Sequence, residues 1–139
     1  MKKTMYLIDK GGLSMKKTMY LIDVKNEEAR VVQCDGLYDY YELLDCSCID
    51  IVQRKIGHKY YDIICDDEGL LVDQPKISAI NDWGEVMLVG NLLVSGLADE
   101  EGELTDLDEY DIKYIADRVK HMSTRAYPDG YLMLTQCRY

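Results

Sequence analysis

The chain has 139 residues, of which 47% are hydrophobic and 30% charged, and a formal net charge of −10. That length and composition fit one globular domain with its own core, not a disordered chain. Such a negative charge disfavours phosphate backbones and anionic lipid, so we expect no direct nucleic-acid binding, no membrane association and, as partner, a protein with a basic surface.

The chain begins twice. Residues 1–9, MKKTMYLID, recur letter for letter at 15–23. Structural repeats bury a face by stacking several similar units, so one perfect pair is no solenoid. Between the copies lie Lys10-Gly11-Gly12-Leu13-Ser14. Lys-Gly-Gly can be encoded as a purine-rich ribosome-binding sequence at a suitable distance before the Met15 codon. The expectation is that residues 1–14 are a translated leader carrying a copy of the start, and that residues 15–139 form a single domain. The alternative is a Gly-containing linker between two real strands. Lys2, Lys3 and Lys10 against Asp9 give the leader a net +2, which leaves −12 on the rest. The segment does not read as a signal peptide, because its apolar part is short and broken by Asp9.

Met19 to Val24 and Ala29 to Cys34 are β-prone runs around Asn26-Glu27-Glu28, a first hairpin. Leu37, Tyr40, Tyr41 and Leu44 fall on one face of a short helix. Cys48 to Lys55 and His58 to Cys65 form a second strand pair around Gly57. After the turn Asp66–Gly69, Leu70 to Val72 reads as a short strand. Pro75 opens one or two helical turns over PKISAIND. Glu85 to Ser95 reads as one long buried strand with a bulge or tight turn at Gly90-Asn91. After the turn Asp99–Gly102 comes the clearest helix, with Thr105 as N-cap, a stripe of Leu107, Tyr110, Tyr114, Ile115 and Val119, and Lys120 and His121 at its end. Tyr131 to Tyr139 alternates like a final strand. The pattern predicts an α+β fold: a mainly antiparallel sheet with two or three helices in a single domain.

Chemistry-bearing patterns are sparse. The chain carries no Walker loop, dinucleotide fingerprint, nucleophile elbow or paired-His signature, so no cofactor and no catalytic residue are assigned. His58 and Asp62 lie two pleats apart, too far for a dyad. Cys34, Cys46, Cys48, Cys65 and Cys137 are odd in number and scattered, as free thiols of a reducing cytoplasm are. Cys46-Ser47-Cys48 is at most half a zinc site, so no metal is expected. The twelve tyrosines, with no Phe, serve core and interface equally well. Three acidic clusters are the candidate partner-binding residues: Asp66, Asp67 and Glu68; Asp99, Glu100 and Glu101; and Asp106, Asp108 and Glu109. The carboxylates of the two turns are consecutive, unlike the alternating ligands of a calcium loop, and read as solvated hairpin turns. Trp83, after Asn81-Asp82, is either a binding anchor or a core plug.

The order CDDEGLL, Pro75, VGNLLVSG and EGELTDL resembles the domain-of-unknown-function 3846 family, over roughly residues 17–120. The family's Asn soon after the Pro is not matched, since Asn81 lies further along, and the Tyr131–Tyr139 tail lies outside the likeness. The resemblance carries no activity; it implies a small accessory protein of phages, plasmids and integrated mobile elements. The expected function is therefore a non-enzymatic protein in the cytoplasm of a bacterial host that binds and blocks a host defence protein through an acidic surface. The alternatives are a nucleotide-binding sponge and a small enzyme of unknown reaction. Of these expectations the leader is the simplest to test. A chain starting at Met15 is expected to melt within a few degrees of the longer one; unfolding or aggregation of the shorter chain would make the first copy a needed strand.

Overall fold

Residues 16–71 and 74–139 are described by the structure, a computed structural model. The leader expected at 1–14 lies outside the described residues. The fold is α+β with mostly antiparallel pairing: ten strands in two sheets and two α-helices among the described residues.

The first hairpin forms as the alternation predicts, with β1 (Lys17–Asp23) paired to β2 (Glu28–Cys34) from Asp23↔Glu28 to Lys17↔Cys34. Helix α1 (Leu37–Leu44) comes next, closed by Asp45 in the left-handed conformation. β3 (Ile49–Ile56) and β4 (Lys59–Asp66) make the second hairpin. His58 lies in its two-residue turn and not, as expected, in a strand. Gly57 takes φ 61° there, and a side chain at this position would collide with Tyr114 and Arg118.

Four departures from the expectation in the second half fall where the chain passes between the two sheets. Gly69–Leu71 is a 3-10 turn, so Leu70 and Leu71 form no strand. Ile77–Ile80 is a strand, β5, where helical turns were expected; Ile77 and Ile80 span a β pairing to Val89 and Val86 of β6 (Val86–Val89). The expected long strand is two: β6 belongs to the small sheet, and β7 (Leu92–Ser95) lies in the centre of the large one. Gly90 turns between them at φ 77°. The final strand is likewise divided, into β9 (Tyr131–Leu134) in the small sheet and β10 (Cys137–Arg138) at the edge of the large one, with Gln136 at φ 57° between.

Helix α2 (Glu109–Ala116) is shorter than its apolar stripe suggests. Its N-cap is Asp108, which forms a reciprocal capping box with Asp111. Thr105 is unavailable as a cap because its hydroxyl donates to the Leu97 carbonyl at 2.7 Å and its backbone bridges Gly96. Val119, Lys120 and His121 belong to a strand, β8 (Val119–Met122), paired to β9.

The large sheet runs β10-β3-β4-β7-β1-β2 and the small one β6-β5-β9-β8. One face of the large sheet, with Tyr20, Ile22, Ile63, Leu92 and Val94, packs on Ile80, Tyr131, Met133 and Leu134 of the small sheet and on Ile115 of α2. The other face, with Met19, Leu21, Val32, Ile64 and Leu93, is covered by Leu44, Leu43 and Tyr40 of α1 and by Leu104. Central strands buried on both faces explain the unbroken apolar runs at 19–22 and 92–94.

Where the chain passes from β6 into β7, Asn91 is buried and donates to the buried carboxylate of Asp23 at 3.0 Å and to the Leu43 carbonyl at 3.4 Å, while accepting from the Lys25 backbone at 3.3 Å. Asp23 also accepts two bonds from Asn26, both at 2.9 Å. Burial alone would raise the Asp23 carboxyl, but the bonds from Asn26, Asn91 and Lys25 outweigh it and hold it below its ordinary value of 3.8. Asn91→Ala leaves Asp23 short of a donor and is expected to cost about 1–3 kcal/mol. A group held below its ordinary value stabilises the fold above that value and loses this contribution as pH falls through the folded value. Denaturant melts from pH 6 to 3 are therefore expected to show a shallower acid loss in Asn91→Ala than in the parent, and equal slopes would count against the pin.

Candidate functional site

The sheet register assigns each predicted acidic cluster to an end of the large sheet. Asp66 ends β4 opposite Ile49, next to the start of β7, so Asp66, Asp67 and Glu68 lie at the end where β7 begins. The other two clusters lie at the opposite end. After β7 the chain leaves through Gly96, which bridges Thr105, and the hairpin between them carries Asp99, Glu100 and Glu101. It returns alongside the start of β1, where Asp106 accepts from the Thr18 backbone at 2.7 Å and Leu107 donates to the Thr18 carbonyl at 3.0 Å. Asp108 and Glu109 come next, at the start of α2. The structure thus brings together two of the three clusters.

Three further carboxylates join them, from residues that look like isolated charges in the sequence. Tyr40 of α1 is pushed up to about 12, first by burial and then by the neighbouring Cys34 thiol and the carboxylates of Glu103, Asp39 and Asp35. Glu103 comes from the hairpin, Asp39 from the first turn of α1 and Asp35 from the end of β2, so one acidic rim runs from α1 across the hairpin to α2. No signal of sequence spacing could reveal this, since the residues are more than sixty positions apart. Ion pairs join Lys25 to Asp45, Arg30 to Glu28, Lys59 to Asp111, Lys113 to Asp117 and Arg138 to Asp82, and none of these draws on a rim carboxylate.

Several rim oxygens also hold local structure. Asp99 accepts from the backbones of Glu101 at 2.9 Å and Glu103 at 3.0 Å, and Asp108 accepts from Asp111 at 2.8 Å. Such turns and caps satisfy otherwise orphaned N–H groups. Beneath the rim, Asp111 fixes α2 to β4: it accepts from Lys59 and, at 2.8 Å, from the buried Tyr61 hydroxyl. Burial acts to raise Asp111, but the bonds from Lys59, Tyr61 and Asp108 prevail and hold it low. Tyr61 is pushed up by burial first and by Asp111 second.

Trp83 is no core plug: it sits in the β5–β6 turn, 83% exposed, beside the Asp82–Arg138 ion pair at the β10 edge. The five cysteines are unbonded, with Cys34, Cys65 and Cys137 buried. Burial is the main reason that the Cys65 and Cys137 thiols are both raised to about 11, far from the reactive range. Among the described residues no three His, Cys, Asp or Glu side chains gather as metal ligands.

The opposite end of the large sheet holds a cavity of about 350 Å³, lined by Val24, Lys25, Leu44, Asp66, Gly69, Gln74, Pro75, Lys76, Gly90, Asn91 and Tyr127. Its wall is made at the β6–β7 crossover, which a single strand over 85–95, even one with a bulge or tight turn at Gly90-Asn91, does not reveal. Among the described residues, no helix is long and apolar enough to cross a membrane.

Tyr61→Phe removes a buried donor to a carboxylate without changing the ring, and is expected to cost about 1.5–3 kcal/mol in chemical denaturation. A cost near zero would mean that Lys59 and the Asp108 backbone satisfy Asp111 without Tyr61.

Neither the comparison with curated proteins nor that with solved structures returned a match. The family model described as Domain of unknown function (DUF3846) matches residues 15–120, most of the length that the strands and helices occupy, and the chain belongs to that family.

Proposed function

We propose that this is a non-enzymatic binding protein of a phage or other mobile element, acting in the bacterial cytoplasm by occupying a basic surface of a host protein such as a defence nuclease. The observation that supports it is the acidic rim: carboxylates from α1, the 97–104 hairpin and the start of α2 share one end of the sheet and take no part in the five ion pairs named above. Lys and Arg of a nucleic-acid channel are a complementary surface for such a rim. Charge complementarity acts chiefly on the association rate and is screened by salt.

The two predicted clusters of the rim contribute more to this reading than the Asp66–Glu68 turn, which faces the other end. The test uses the host protein recovered by pull-down. Replacing Asp99, Glu100 and Glu101 by Asn, Gln and Gln leaves an acceptor oxygen at position 99 to close the turn and is expected to slow association about tenfold, equivalent to about 1.4 kcal/mol. The same replacement at Asp66, Asp67 and Glu68 is expected to leave the rate within twofold. Binding that ignores both salt and the rim replacement would remove the electrostatic account in favour of exposed apolar residues such as Trp83 and Tyr110.

A further inference from the structure

The end of the sheet away from the rim carries the opposite electrostatic character. In a chain of net charge −10, the cavity there is lined by two ammonium groups, Lys25 and Lys76, and one carboxylate, Asp66. We propose that this cavity binds a small aromatic phosphate of mononucleotide size, with its phosphate on Lys76 and Lys25 and its ring beside Tyr127.

Lys76 carries the argument. Its ammonium donates to the Val24 carbonyl at 3.1 Å and lies over the rings of Tyr127 and Tyr131, 5.1 and 4.8 Å from their centroids. The two rings are fixed edge to face, 5.4 Å apart, and the Tyr131 hydroxyl is tied to the Ile77 carbonyl at 2.8 Å. None of the five ion pairs includes Lys76. Ring faces and a carbonyl hold the cation in place, but they do not neutralise it, and an ammonium has three protons to donate. A half-buried cation that faces a cavity and makes no ion pair among the described residues is a seat for an anion.

Lys25 can join it. Its pair with Asp45, at 3.3 Å, is largely exposed and therefore weak, so the side chain can leave it for a buried phosphate. Asp66, one oxygen of which accepts from the Glu68 backbone at 2.9 Å, is the one carboxylate of the lining against two ammonium groups. The volume exceeds what a lone ion requires and falls at the lower end of pockets for small organic ligands. Val24, Leu44 and Pro75 supply apolar wall for a ring. At the lip Gln74 is held at φ 54°, a costly backbone state for a non-glycine residue and one that gathers at ligand sites.

The inference is independent of the proposed protein partner, since the rim contributes nothing to the cavity. Its test is calorimetric titration of the full chain with AMP, with adenosine and inorganic phosphate as its separated parts. AMP is expected to bind, and adenosine and phosphate each to bind at least about tenfold more weakly. Lys76→Met, which keeps the stem and removes the charge, is expected to lose at least about tenfold in affinity, Lys76→Arg to stay within a few-fold, and the Asp99, Glu100 and Glu101 triple replacement to match the parent. Should Lys76→Met fail to fold, Lys25→Met reads the same loss. Absence of AMP binding, phosphate binding as tight as AMP, or full affinity in the folded lysine-to-methionine variant would each overturn the proposal.

Discussion

The hydrogen bond from Asn91 to Asp23 is the contact on which the architecture turns. Asp23 closes the first hairpin and Asn91 is the residue at which the chain exchanges one sheet for the other. Two sheets packed face to face need a crossover, and a crossover inside the protein carries backbone groups that no ladder satisfies. At the crossover the Gly90 backbone donates to the Lys76 carbonyl at 2.8 Å, and the Asn91 amide serves its neighbours: it accepts from the Lys25 backbone and donates to Leu43 and Asp23. Hairpin, α1 and both sheets meet at this side chain. Were Asn91 apolar, the Asp23 carboxylate would lose a donor while remaining buried, which costs more than the bond itself contributes.

The same crossover separates the molecule into two ends of unlike charge. β7 enters the large sheet opposite Cys65 and leaves it opposite Asp62, so the segment before β7 lies near the cavity and the segment after it lies near the rim. Lys25 and Lys76 are placed at the first end by the hairpin turn and the start of β5; the 97–104 hairpin and α2 are placed at the second by the return past Thr18. The net charge of the whole chain says nothing of this division. It averages a rim of carboxylates with a pocket in which cations outnumber acids.

What was legible in the sequence was local. The two early hairpins and α1 read correctly because adjacent strands pair with each other and their alternation or helical period is undisturbed. The second half was misread wherever a continuous apolar run served two sheets. VMLV and LLVS look like one strand because both are apolar throughout, yet they pair with β5 and with β1 and β4 respectively. Gly90 was the visible sign, read as a bulge or tight turn within one strand; it is a turn, and the chain changes sheets there. PKISAI was misassigned because Pro75 suggested a helix start, whereas its Ile77 and Ile80 match β6 across a bulged pairing. The apolar stripe of the last helix continued through Val119 by coincidence of spacing, and the Asp108–Asp111 capping box, written plainly in DEYD, marked the true start. The clusters of the rim were legible as charge, but their assembly was not, because it depends on tertiary placement of α1 against the hairpin.

Folding and proposed binding make different demands on the same carboxylates, and the geometry separates them by atom. Asp99, Asp106 and Asp108 each commit one oxygen to backbone N–H groups of a turn, the start of β1 and a helix N-terminus. A short side chain at such a position is required by reach, which is why Asp and not Glu occupies all three. A carboxylate can accept at about four lone-pair sites over its two oxygens, so one anchored oxygen does not exhaust it. Glu100, Glu101 and Glu109 are longer, so they extend the negative field beyond the turn. A charge fixed by its own hydrogen bonds loses little side-chain entropy when a partner arrives, while a mobile Glu loses more. On the proposed binding, the anchored aspartates would set the register of a basic partner, and the glutamates around them would lend range. Exchange of Asp for Asn at the anchored positions removes charge but preserves the turn, whereas exchange for Ala removes both, so the two kinds of variant separate what the rim does for the fold from what it does for a partner.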